Sequence, residues 1–337
     1  MIKVGLIGAG KMGISHLSIL GAHPDVQVIG VCDTSKMVLD VLGKYTPFHC
    51  YNSPAEMVEK GKPDAVFVAV PTKFHYDLVK DLIEKNIHVF SEKPFCLTLG
   101  QSEELAALAS ARGRVNQVGY HNKFVQTFRE VKRIVKNGYI GDVYHFIGEA
   151  YGPVVVRKKQ ENWRADPSEG GGCLMDYASH IIDLINDILD PIVSSKGTVL
   201  RSVFSAHVED VVYAMLELSS KTNGVLSVNW SDDSFRKMST SITIIGTKGK
   251  VISDANELKV YFKESDTPAG YSRGWNSRNI ADITPPVDFN LRGEEYSAQV
   301  DYFIKACQGK VPNTINTFQS ACLTDKAIHL IKNSANK

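Results

Sequence analysis

The sequence predicts an α/β protein in which a doubly wound parallel sheet precedes an α+β domain with a large, mostly antiparallel open sheet. Up to about residue 120, short apolar runs alternate with helical patterns, as they do in βαβ units. After about residue 190, apolar runs follow one another without helices between them. A length of 337 residues accommodates two domains. We expect them over residues 1–121 and 122–337.

The first domain is predicted from apolar runs that end at turn residues, which is typical of strands buried on both faces of a sheet. The predicted strands are Ile2–Ile7, Val26–Cys32, Ala65–Val70, Ile87–Phe90 and Val115–Gly119. The predicted helices are Met12–Gly21, Lys36–Tyr45, Pro54–Lys60, Phe74–Lys85 and Ser102–Arg112. Strands that alternate with helices in this way connect with right-handed crossovers and give a parallel sheet.

The second domain begins with a helix and then changes pattern. Helices are predicted at Phe124–Lys136, Cys173–Leu189, Glu294–Cys307 and Phe318–Lys332, the last with Thr317 as its N-cap. Strands are predicted at Val143–Glu149, Val193–Ser205, Val211–Leu218, Gly224–Trp230, Thr240–Ile245, Lys250–Ser253 and Glu257–Phe262. Thr247-Lys248-Gly249 is typical of a hairpin turn. Asp266–Pro286, rich in Pro, Gly, Ser and Asn, is predicted to be a long surface loop.

Composition excludes several classes of protein. The 38 Lys and Arg residues nearly balance the 37 Asp and Glu residues, which argues against a nucleic-acid or anionic-membrane partner. No apolar run approaches the length of a membrane span, and the N-terminus lacks the features of a signal peptide. Six scattered cysteines without metal-binding spacing indicate reduced thiols. We therefore expect a cytoplasmic protein with no metal site.

A glycine-rich turn carries the first functional signal. Residues 8–13 match G-x-G-x-x-G between a predicted strand and a predicted helix, and Asp33 follows Gly13 by 20 residues at the end of the next strand. This context is typical of dinucleotide binding. The predicted cofactor-binding residues here are Gly8, Ala9, Gly10, Lys11, Met12, Gly13, Asp33 and Thr34. An alternative is a glycine-rich turn in an α/β domain that binds no nucleotide.

The charge at the end of the second strand bears on the choice of cofactor. Asp33 should accept hydrogen bonds from the adenosine ribose and repel a 2′-phosphate, so NAD is favoured over NADP. Lys36 could partly reverse this preference, so NADP stays open.

Further motifs make the chain resemble a known family. Val70–His75 and Ser91-Glu92-Lys93-Pro94 each follow a predicted parallel strand, and Trp163-Arg164 precedes Gly170–Asp176 and His180. Together with the glycine-rich turn they resemble the Gfo/Idh/MocA oxidoreductases, over nearly the whole chain except Asp266–Pro286. The resemblance implies that Lys93, Asp176 and His180 form the catalytic group. Ala178 departs from the glycine that the family commonly has between the Asp and the His.

The chemistry of these side chains is consistent with that assignment. Asp176 and His180, at i and i+4, share a helix face, so the carboxylate can orient the imidazole. The imidazole can take a proton from an alcohol as hydride leaves, and the Lys93 ammonium can stabilise charge on the same oxygen. Alternatives remain: Lys93 as a cofactor contact only, and Asp176–His180 as a structural pair. Asp183 is expected to be a solvated or capping residue.

Other cofactor contacts are inferred from position or from the resemblance. Position predicts that Pro71, Thr72 and His75 flank the adenosine or pyrophosphate and that Glu92 lies next to the nicotinamide ribose; for His75 a simple helix-start role is equally open. Tyr120 and Asn122 should face the nicotinamide. The resemblance adds Trp163, Arg164 and Tyr296. Arg157, Lys158 and Lys159 form a basic stretch that could attract an anionic substrate, or could simply be solvated.

The expected function is an NAD(P)-dependent oxidoreductase that interconverts a secondary alcohol and a ketone on a sugar, inositol or sugar-nucleotide. A non-catalytic NAD-binding sensor of the same fold, and an enzyme for a non-sugar carbonyl or imine, are the alternatives. No nucleic-acid or membrane partner is expected. A homo-oligomer, dimer or tetramer, is expected because the second domain should expose a sheet face and because the family often forms one.

Overall fold

The computed structural model describes residues 1–154, 163–286 and 293–335. Packing groups the chain into two units: Met1–His121 with Pro286–Cys322, and Asn122–Pro285 with Leu323–Lys337. The first unit therefore includes a C-terminal segment that was predicted to belong to the second domain, over residues 122–337. Val300, Phe303 and Ile304 of that segment are fully buried in the core of the first unit.

The strands of the first unit form a six-stranded parallel sheet, as expected of a doubly wound domain. In spatial order they run β3-β2-β1-β4-β5-β6. Their bounds are β1 Ile2–Ile7, β2 Val26–Cys32, β3 Cys50–Tyr51, β4 Ala65–Val68, β5 His88–Ser91 and β6 Asn116–Val118. The strand order reverses between β1 and β4, and ligands of such sheets bind beyond the carboxyl ends of the strands at this point. The glycine-rich turn follows β1, so the fold places it at that edge.

The strands of the second unit form an eight-stranded sheet with the order β14-β13-β12-β11-β7-β10-β9-β8. Their bounds are β7 Val143–Tyr151, β8 Ile192–Arg201, β9 Val211–Leu218, β10 Asn223–Asn229, β11 Ser239–Gly246, β12 Gly249–Asp254, β13 Glu257–Phe262 and β14 Gly274–Asn279. All the pairings are antiparallel except that of β10 with β7. This confirms the predicted mostly antiparallel sheet.

Helices connect and cover the sheets. Their bounds are α1 Lys11–Ala22, α2 Lys36–Tyr45, α3 Pro54–Glu56, α4 His75–Glu84, α5 Leu99–Ala111, α6 Gln126–Lys136, α7 Ser179–Ile188, α8 Ile280–Ile283, α9 Glu294–Cys307 and α10 Phe318–Ala335. Side-chain caps explain several starts: Ser35 begins α2, and Thr98 with Gln101 forms a capping box at α5. Thr317 accepts from the Ser320 N–H at 3.2 Å, which confirms the predicted N-cap. In the described ranges no helix is both long and apolar enough to span a bilayer.

The prediction of a long loop over Asp266–Pro286 is wrong in part, because this stretch contains β14 and α8. β14 pairs with β13 at the edge of the sheet through its backbone, from Gly274↔Phe262 to Asn279↔Glu257. Its residues are half-buried or exposed, so the strand has no apolar alternation by which it could be recognised. At the start of α8 the Asn279 N–H donates to Asp282 Oδ2 at 3.3 Å.

A glycine lets α7, which carries His180, lie against the central strand of the second sheet. A Cβ on Gly148 of β7 would approach side-chain atoms of Ile181 and Ile185 of α7 to 2.8 Å. Both isoleucines are fully buried in the core of the second unit. Close helix–sheet packing at this point fixes the height of α7 above the sheet.

Candidate active site

The glycine-rich turn after β1 has the geometry that a dinucleotide requires. Gly8 has a φ of +92°, and a Cβ on Gly13 would lie 1.9 Å from the Gly8 carbonyl oxygen, so both positions require glycine. A Cβ on Gly10 would meet no atom within 4 Å. This open space in front of the turn is where a backbone can approach a ligand closely.

The start of α1 adds hydrogen-bond donors to this turn. Gly10 is the N-cap of α1 and has no side chain that could accept from the N–H groups of the first turn. Such a helix start attracts phosphate groups. Lys11 is exposed and Met12 half-buried at the same place. These observations fit the pyrophosphate of a dinucleotide.

Asp33 joins the end of β2 to the glycine-rich turn. Its Oδ2 accepts a hydrogen bond from the Ala9 N–H at 2.6 Å, and its Oδ1 accepts from the Ser35 N–H at 2.7 Å. The carboxylate is half-buried, and the neighbouring Thr34 is exposed. Asp33 therefore orients the turn in addition to offering acceptor capacity to a ribose.

Glu92, which was predicted to lie next to the nicotinamide ribose, is buried. Glu92 as a residue is 7% exposed, and its Oε1 lies 2.6 Å from Nε2 of His16 in α1. A Cβ on Gly119 would come within 2.9 Å of the same carboxylate. Burial raises the pKa of Glu92, but the hydrogen bond and charge of His16 and the charge of Lys93 outweigh it and lower the pKa overall. Glu92 is thus enclosed by protein, whereas Lys93 beside it is half-buried.

His75 is also occupied by the protein itself. The side chain is fully buried, with Nδ1 at 3.0 Å from the Pro94 carbonyl oxygen and 3.1 Å from that of Phe95. Nε2 lies 2.9 Å from the Val70 carbonyl oxygen. His75 therefore links the end of the β4 segment to the Glu92–Phe95 turn. Thr72 is buried and Pro71 is exposed at the same edge.

Asp176 and His180 lie on one helical segment and are both buried, at 1% and 3% exposure. The single helix predicted over Cys173–Leu189 is in fact a π-helical turn, Leu174–Ala178, followed by α7. Asp176 belongs to the π turn and His180 to α7. Such turns occur frequently at functional sites. Ala178, in the position of the family's usual glycine, is fully buried.

Arg164 and Trp163 form a small cluster with Asp176. The Arg164 Nε donates to Asp176 Oδ2 at 2.7 Å, and the guanidinium carbon lies 4.5 Å from the centroid of the Trp163 ring. The Arg164 side chain is 38% exposed, so it reaches from the surface to a buried carboxylate. The structure thus connects two sequence-predicted cofactor contacts to a predicted catalytic residue.

A buried ion pair between α7 and the short helical turn His121–Phe124 was not predicted. The Lys123 ammonium lies 2.9 Å from Asp183 Oδ1, and both side chains are almost completely buried. The Thr324 hydroxyl donates to the same oxygen at 3.3 Å. The prediction of a solvated or capping Asp183 is therefore wrong. Burial raises the pKa of Asp183 to about 6, although the Lys123 charge acts in the opposite direction.

The remaining predicted contacts lie in the two units separately. In the first unit the Tyr296 ring stacks on His121 at 4.7 Å, and the Tyr120 carbonyl accepts from the Asn316 amide at 2.6 Å. In the second unit the Asn122 amide donates to the Thr240 hydroxyl at 3.5 Å. Arg157, Lys158 and Lys159 lie outside the described residues. Among the described residues, no group of three or more His, Cys, Asp or Glu side chains could hold a metal.

Three residues that shape the site were not predicted to do so: His16, Lys123 and Asp183. A signal for His16 was present, because it follows Gly13 by three residues on the helix that starts at the glycine-rich turn. Lys123 and Asp183 are 60 residues apart, so only the fold reveals their pairing. The two units differ in chemistry. The first has a glycine-rich turn and a half-buried amine, and the second has a buried carboxylate and a buried imidazole on one helical segment.

Comparison with known proteins gives two family-model matches that cover most of the chain. Residues 2–120 match the family described as "Oxidoreductase family, NAD-binding Rossmann fold", and residues 128–252 match the "GFO/IDH/MocA C-terminal domain". The two matches follow the order of the two sheets along the chain.

Individual relatives point the same way. Myo-inositol 2-dehydrogenase of Thermotoga maritima is 25% identical over 75% of each chain. D-Glucoside 3-dehydrogenase of Escherichia coli is 29% identical over 54% of this chain and 52% of its own length. A levoglucosan dehydrogenase solved with NADH and levoglucosan superposes with a TM-score of 0.87 at 19% identity, over 99% of this chain and 97% of that one. This last likeness supports the fold.

Proposed function

The chain belongs to the Gfo/Idh/MocA family of NAD-binding oxidoreductases, and on that premise we propose that it interconverts a secondary alcohol and a ketone on a sugar or polyol. The observation that carries the proposal is the burial of both Asp176 and His180 on one helical segment, together with the Lys93 amine in the unit that has the glycine-rich turn. A protein that only senses NAD has no need for a proton acceptor, a carboxylate behind it and an amine as a set.

The first unit would hold the cofactor through features of its own backbone. The open space at Gly10, the uncapped start of α1 and the Asp33 carboxylate fit a pyrophosphate followed by a ribose diol. When bound, NAD supplies the acceptor for hydride. The carboxylate at Asp33 disfavours a 2′-phosphate, so we propose NAD ahead of NADP.

The roles of the chain's own residues follow from their chemistry. His180 accepts the proton of the substrate hydroxyl at a ring nitrogen, since imidazole is suited to proton transfer near neutral pH. Asp176 stabilises the imidazolium that results, with its own charge held in place by Arg164. The Lys93 ammonium hydrogen-bonds the substrate oxygen and stabilises negative charge that develops on it.

The substrate class rests on the relatives and on the site's chemistry. Two relatives are named as dehydrogenases of an inositol and a glucoside, and a structural neighbour was solved with levoglucosan. We propose a cyclic polyol, a sugar or a sugar-nucleotide as the substrate of this chain. These compounds share adjacent ring hydroxyls, one of which is oxidised.

A cofactor and substrate screen tests the proposal. The purified protein is mixed with NAD or NADP and with myo-inositol, scyllo-inositol, D-glucose, a methyl glucoside, levoglucosan and a sugar-nucleotide, and absorbance of the reduced nicotinamide is followed. We expect NAD reduction with at least one ring polyol and none in His180→Ala. Tight NAD binding without turnover on any compound would favour the sensor function instead.

We also propose that the protein is cytoplasmic and forms a homo-oligomer. All six cysteines lie among the described residues and are reduced thiols, which supports a cytoplasmic location because reducing compartments keep thiols from forming disulfides. The homo-oligomer is supported by apolar side chains that are exposed on the second sheet beside a groove of about 390 Å³: Tyr213, Met215 and Val225. Analytical ultracentrifugation of wild type and Met215→Lys tests whether the protein forms a homo-oligomer. A monomeric wild type would contradict this proposal.

A further inference from the structure

Two buried histidines hold the turn that carries Lys93. His16, in the second turn of α1, contacts the Glu92 carboxylate at 2.6 Å, and His75, at the start of α4, contacts the Pro94 and Phe95 carbonyls at 3.0 and 3.1 Å. Both imidazoles are almost completely excluded from solvent, at 1% and 0% exposure. The turn is therefore held on each side of Lys93 by a ring that has little freedom to move.

His16 is itself fixed by aromatic packing. Its ring lies 5.5 Å from that of Phe67 in β4 and 5.0 Å from that of Phe90 in β5, and Phe303 of α9 packs on both phenylalanines. Close-packed rings transmit position well, because a densely packed core leaves them little space to move. Glu92 then accepts from the Lys93 N–H through Oε2 at 3.2 Å, so the chain of contacts from His16 ends on the Lys93 backbone.

His75 completes the arrangement from the other side. Its Nε2 faces the Val70 carbonyl at 2.9 Å, while Nδ1 faces the two carbonyls of the turn. All three neighbours are acceptors, so the ring donates to the end of the β4 segment, to the turn, or to both. Burial lowers the pKa of His75, against the hydrogen bonds to these carbonyls and the charge of Glu92, which raise it. A neutral ring donates from one nitrogen only, so a proton on Nδ1 bonds the turn to the start of α4, whereas bonds on both sides require the charged ring.

We propose that His16 and His75 are positioning residues for Lys93, which hold the Glu92–Phe95 turn so that the lysine amine is presented to the substrate oxygen in one orientation. This inference rests on the proposed function, because it takes Lys93 to act in the reaction. Neither histidine needs to touch substrate or cofactor. His16 acts through Glu92, and His75 acts through the backbone carbonyls after Lys93.

The size of the expected effect follows from the sensitivity of catalysis to geometry. Lysine is a point charge on a flexible four-carbon chain, so its position depends on the backbone that carries it. A displacement of about 1 Å can cost roughly 10²-fold in rate. Loss of His16 should therefore reduce the rate of hydride transfer and leave the affinity for NAD almost unchanged.

The experiment compares His16→Leu, which removes the bond to Glu92, with His16→Gln, whose amide can donate to the same carboxylate. His23→Leu is the matched control, because His23 is also buried, lies at the end of the same α1 and contacts a carboxylate, Asp301, at 3.3 Å. Single-turnover reduction of NAD is measured with the panel compound that wild type oxidises fastest. NAD affinity and thermal unfolding are measured for every variant.

We expect His16→Leu to slow hydride transfer by about 10- to 100-fold, with NAD affinity within about threefold of wild type. His16→Gln should recover most of the rate, and His23→Leu should keep it. His75→Asn, which retains a donor toward the turn, should be faster than His75→Leu. Should the His75 variants fail to fold, the His16 set still decides the question.

A double-mutant cycle separates positioning from a general structural role. In a Lys93→Met background, His16→Leu should slow hydride transfer by a further factor of less than about three. The reason is that the effects of residues that act through one another are non-additive. An equal loss in both backgrounds, or an equal loss in His23→Leu, would overturn the proposal. If Lys93→Met itself keeps full activity, the role of Lys93 fails and this inference fails with it, although the proposed oxidoreductase function stands. If no panel compound is oxidised, the proposed function itself fails.

Discussion

Arg164 reaches from the surface of the second unit to the buried Asp176, whose Oδ2 accepts from the Arg164 Nε at 2.7 Å. The arginine side chain is 38% exposed, whereas the Asp176 side chain is 1% exposed. The carboxylate predicted to support the catalytic imidazole therefore has a cationic partner. An ionised carboxylate in this environment requires such compensation.

Replacing Arg164 distinguishes a role in supporting Asp176 from a role in cofactor contact. We expect Arg164→Gln to lower hydride transfer by about 10-fold or more, because the buried carboxylate loses a charged donor. Arg164→Lys should retain part of the rate. Stopped-flow hydride transfer and NAD titration are the two measurements. A loss of NAD affinity with unchanged hydride transfer would indicate cofactor contact instead.

Removal of the candidate proton acceptor should separate chemistry from binding. His180→Ala should slow turnover by on the order of 10²–10⁴ while NAD affinity persists, because the glycine-rich turn and Asp33 are untouched. Asp176→Asn should slow turnover less than His180→Ala does. The double variant should be little worse than His180→Ala, since the two residues act as a unit. Turnover of His180→Ala within a few-fold of wild type would exclude His180 as the base.

Asp33 should determine cofactor choice through its charge. Asp33→Asn keeps an oxygen that can accept from the Ala9 N–H, whereas Asp33→Ala also removes support for the turn. Asp33→Asn should therefore weaken the binding of NAD by about 1–2 kcal/mol and improve the affinity for NADP relative to that for NAD. Asp33→Ala should weaken both cofactors. Fluorescence titration of both variants with both cofactors tests this, and an unchanged NAD affinity in both would remove Asp33 from the site.

Two glycines of the same turn should behave differently. Gly13→Ala places a Cβ 1.9 Å from the Gly8 carbonyl oxygen, so it should lower the thermal stability of the cofactor-free protein. Gly10→Ala meets no atom within 4 Å and has an ordinary φ of −68°, so that stability should be unchanged. NAD affinity should nevertheless fall in Gly10→Ala, because the methyl group occupies the space left for the pyrophosphate. Unaltered NAD affinity in Gly10→Ala would place the pyrophosphate elsewhere.

The fold followed from the sequence because both sheets are built on strong periodic signals. β1, β2, α2, β9 and β13 have the bounds that were predicted. β3 and β14 could not be found, because a two-residue strand and a polar edge strand carry no apolar pattern. The start of α5 at Leu99 could have been found three residues earlier than predicted, since Thr98 and Gln101 have the spacing of a capping box.

The glycine-rich turn could be predicted from the sequence, whereas the burial of the Glu92 and Asp183 carboxylates could not. Local spacing specifies that turn, because backbone geometry within six residues requires glycine at Gly8 and Gly13. Glu92 and Asp183 were expected near the cofactor or solvent, yet their partners His16 and Lys123 lie 76 and 60 residues away. Spacing along a single chain carries no information about such partners. The roles of Lys93, Asp176 and His180 remain predictions.

Stability should depend on pH through Asp183. Burial raises the pKa of this carboxyl to about 6 from an ordinary 3.8, so the folded protein binds this proton more tightly than the unfolded chain does. The resulting stabilisation is fully present below about pH 4 and is lost as pH rises through about 6. Between about pH 4 and 6, the free energy of unfolding of wild type should fall by on the order of 2 kcal/mol relative to that of Asp183→Asn.

Urea unfolding of both proteins at several pH values from about 4.5 to 7.5 measures this difference. The double variant with Lys123→Met controls for the charge that Asp183→Asn leaves without its carboxylate. Parallel stability profiles for wild type and Asp183→Asn would show that Asp183 has the same proton affinity in the folded and unfolded states.

The position of β7 has a consequence for the order in which the second unit assembles. β8–β9–β10 and β11–β14 are two antiparallel meanders built from neighbours along the chain, and β7 joins them although it precedes both. Its parallel pairing with β10 brings His145 opposite Asn223, across 78 residues that include α7. Because distant pairings close slowly, each meander should acquire amide protection during refolding before β7 does. Pulse-labelled hydrogen exchange should therefore find the central strand of the sheet among the last to become protected.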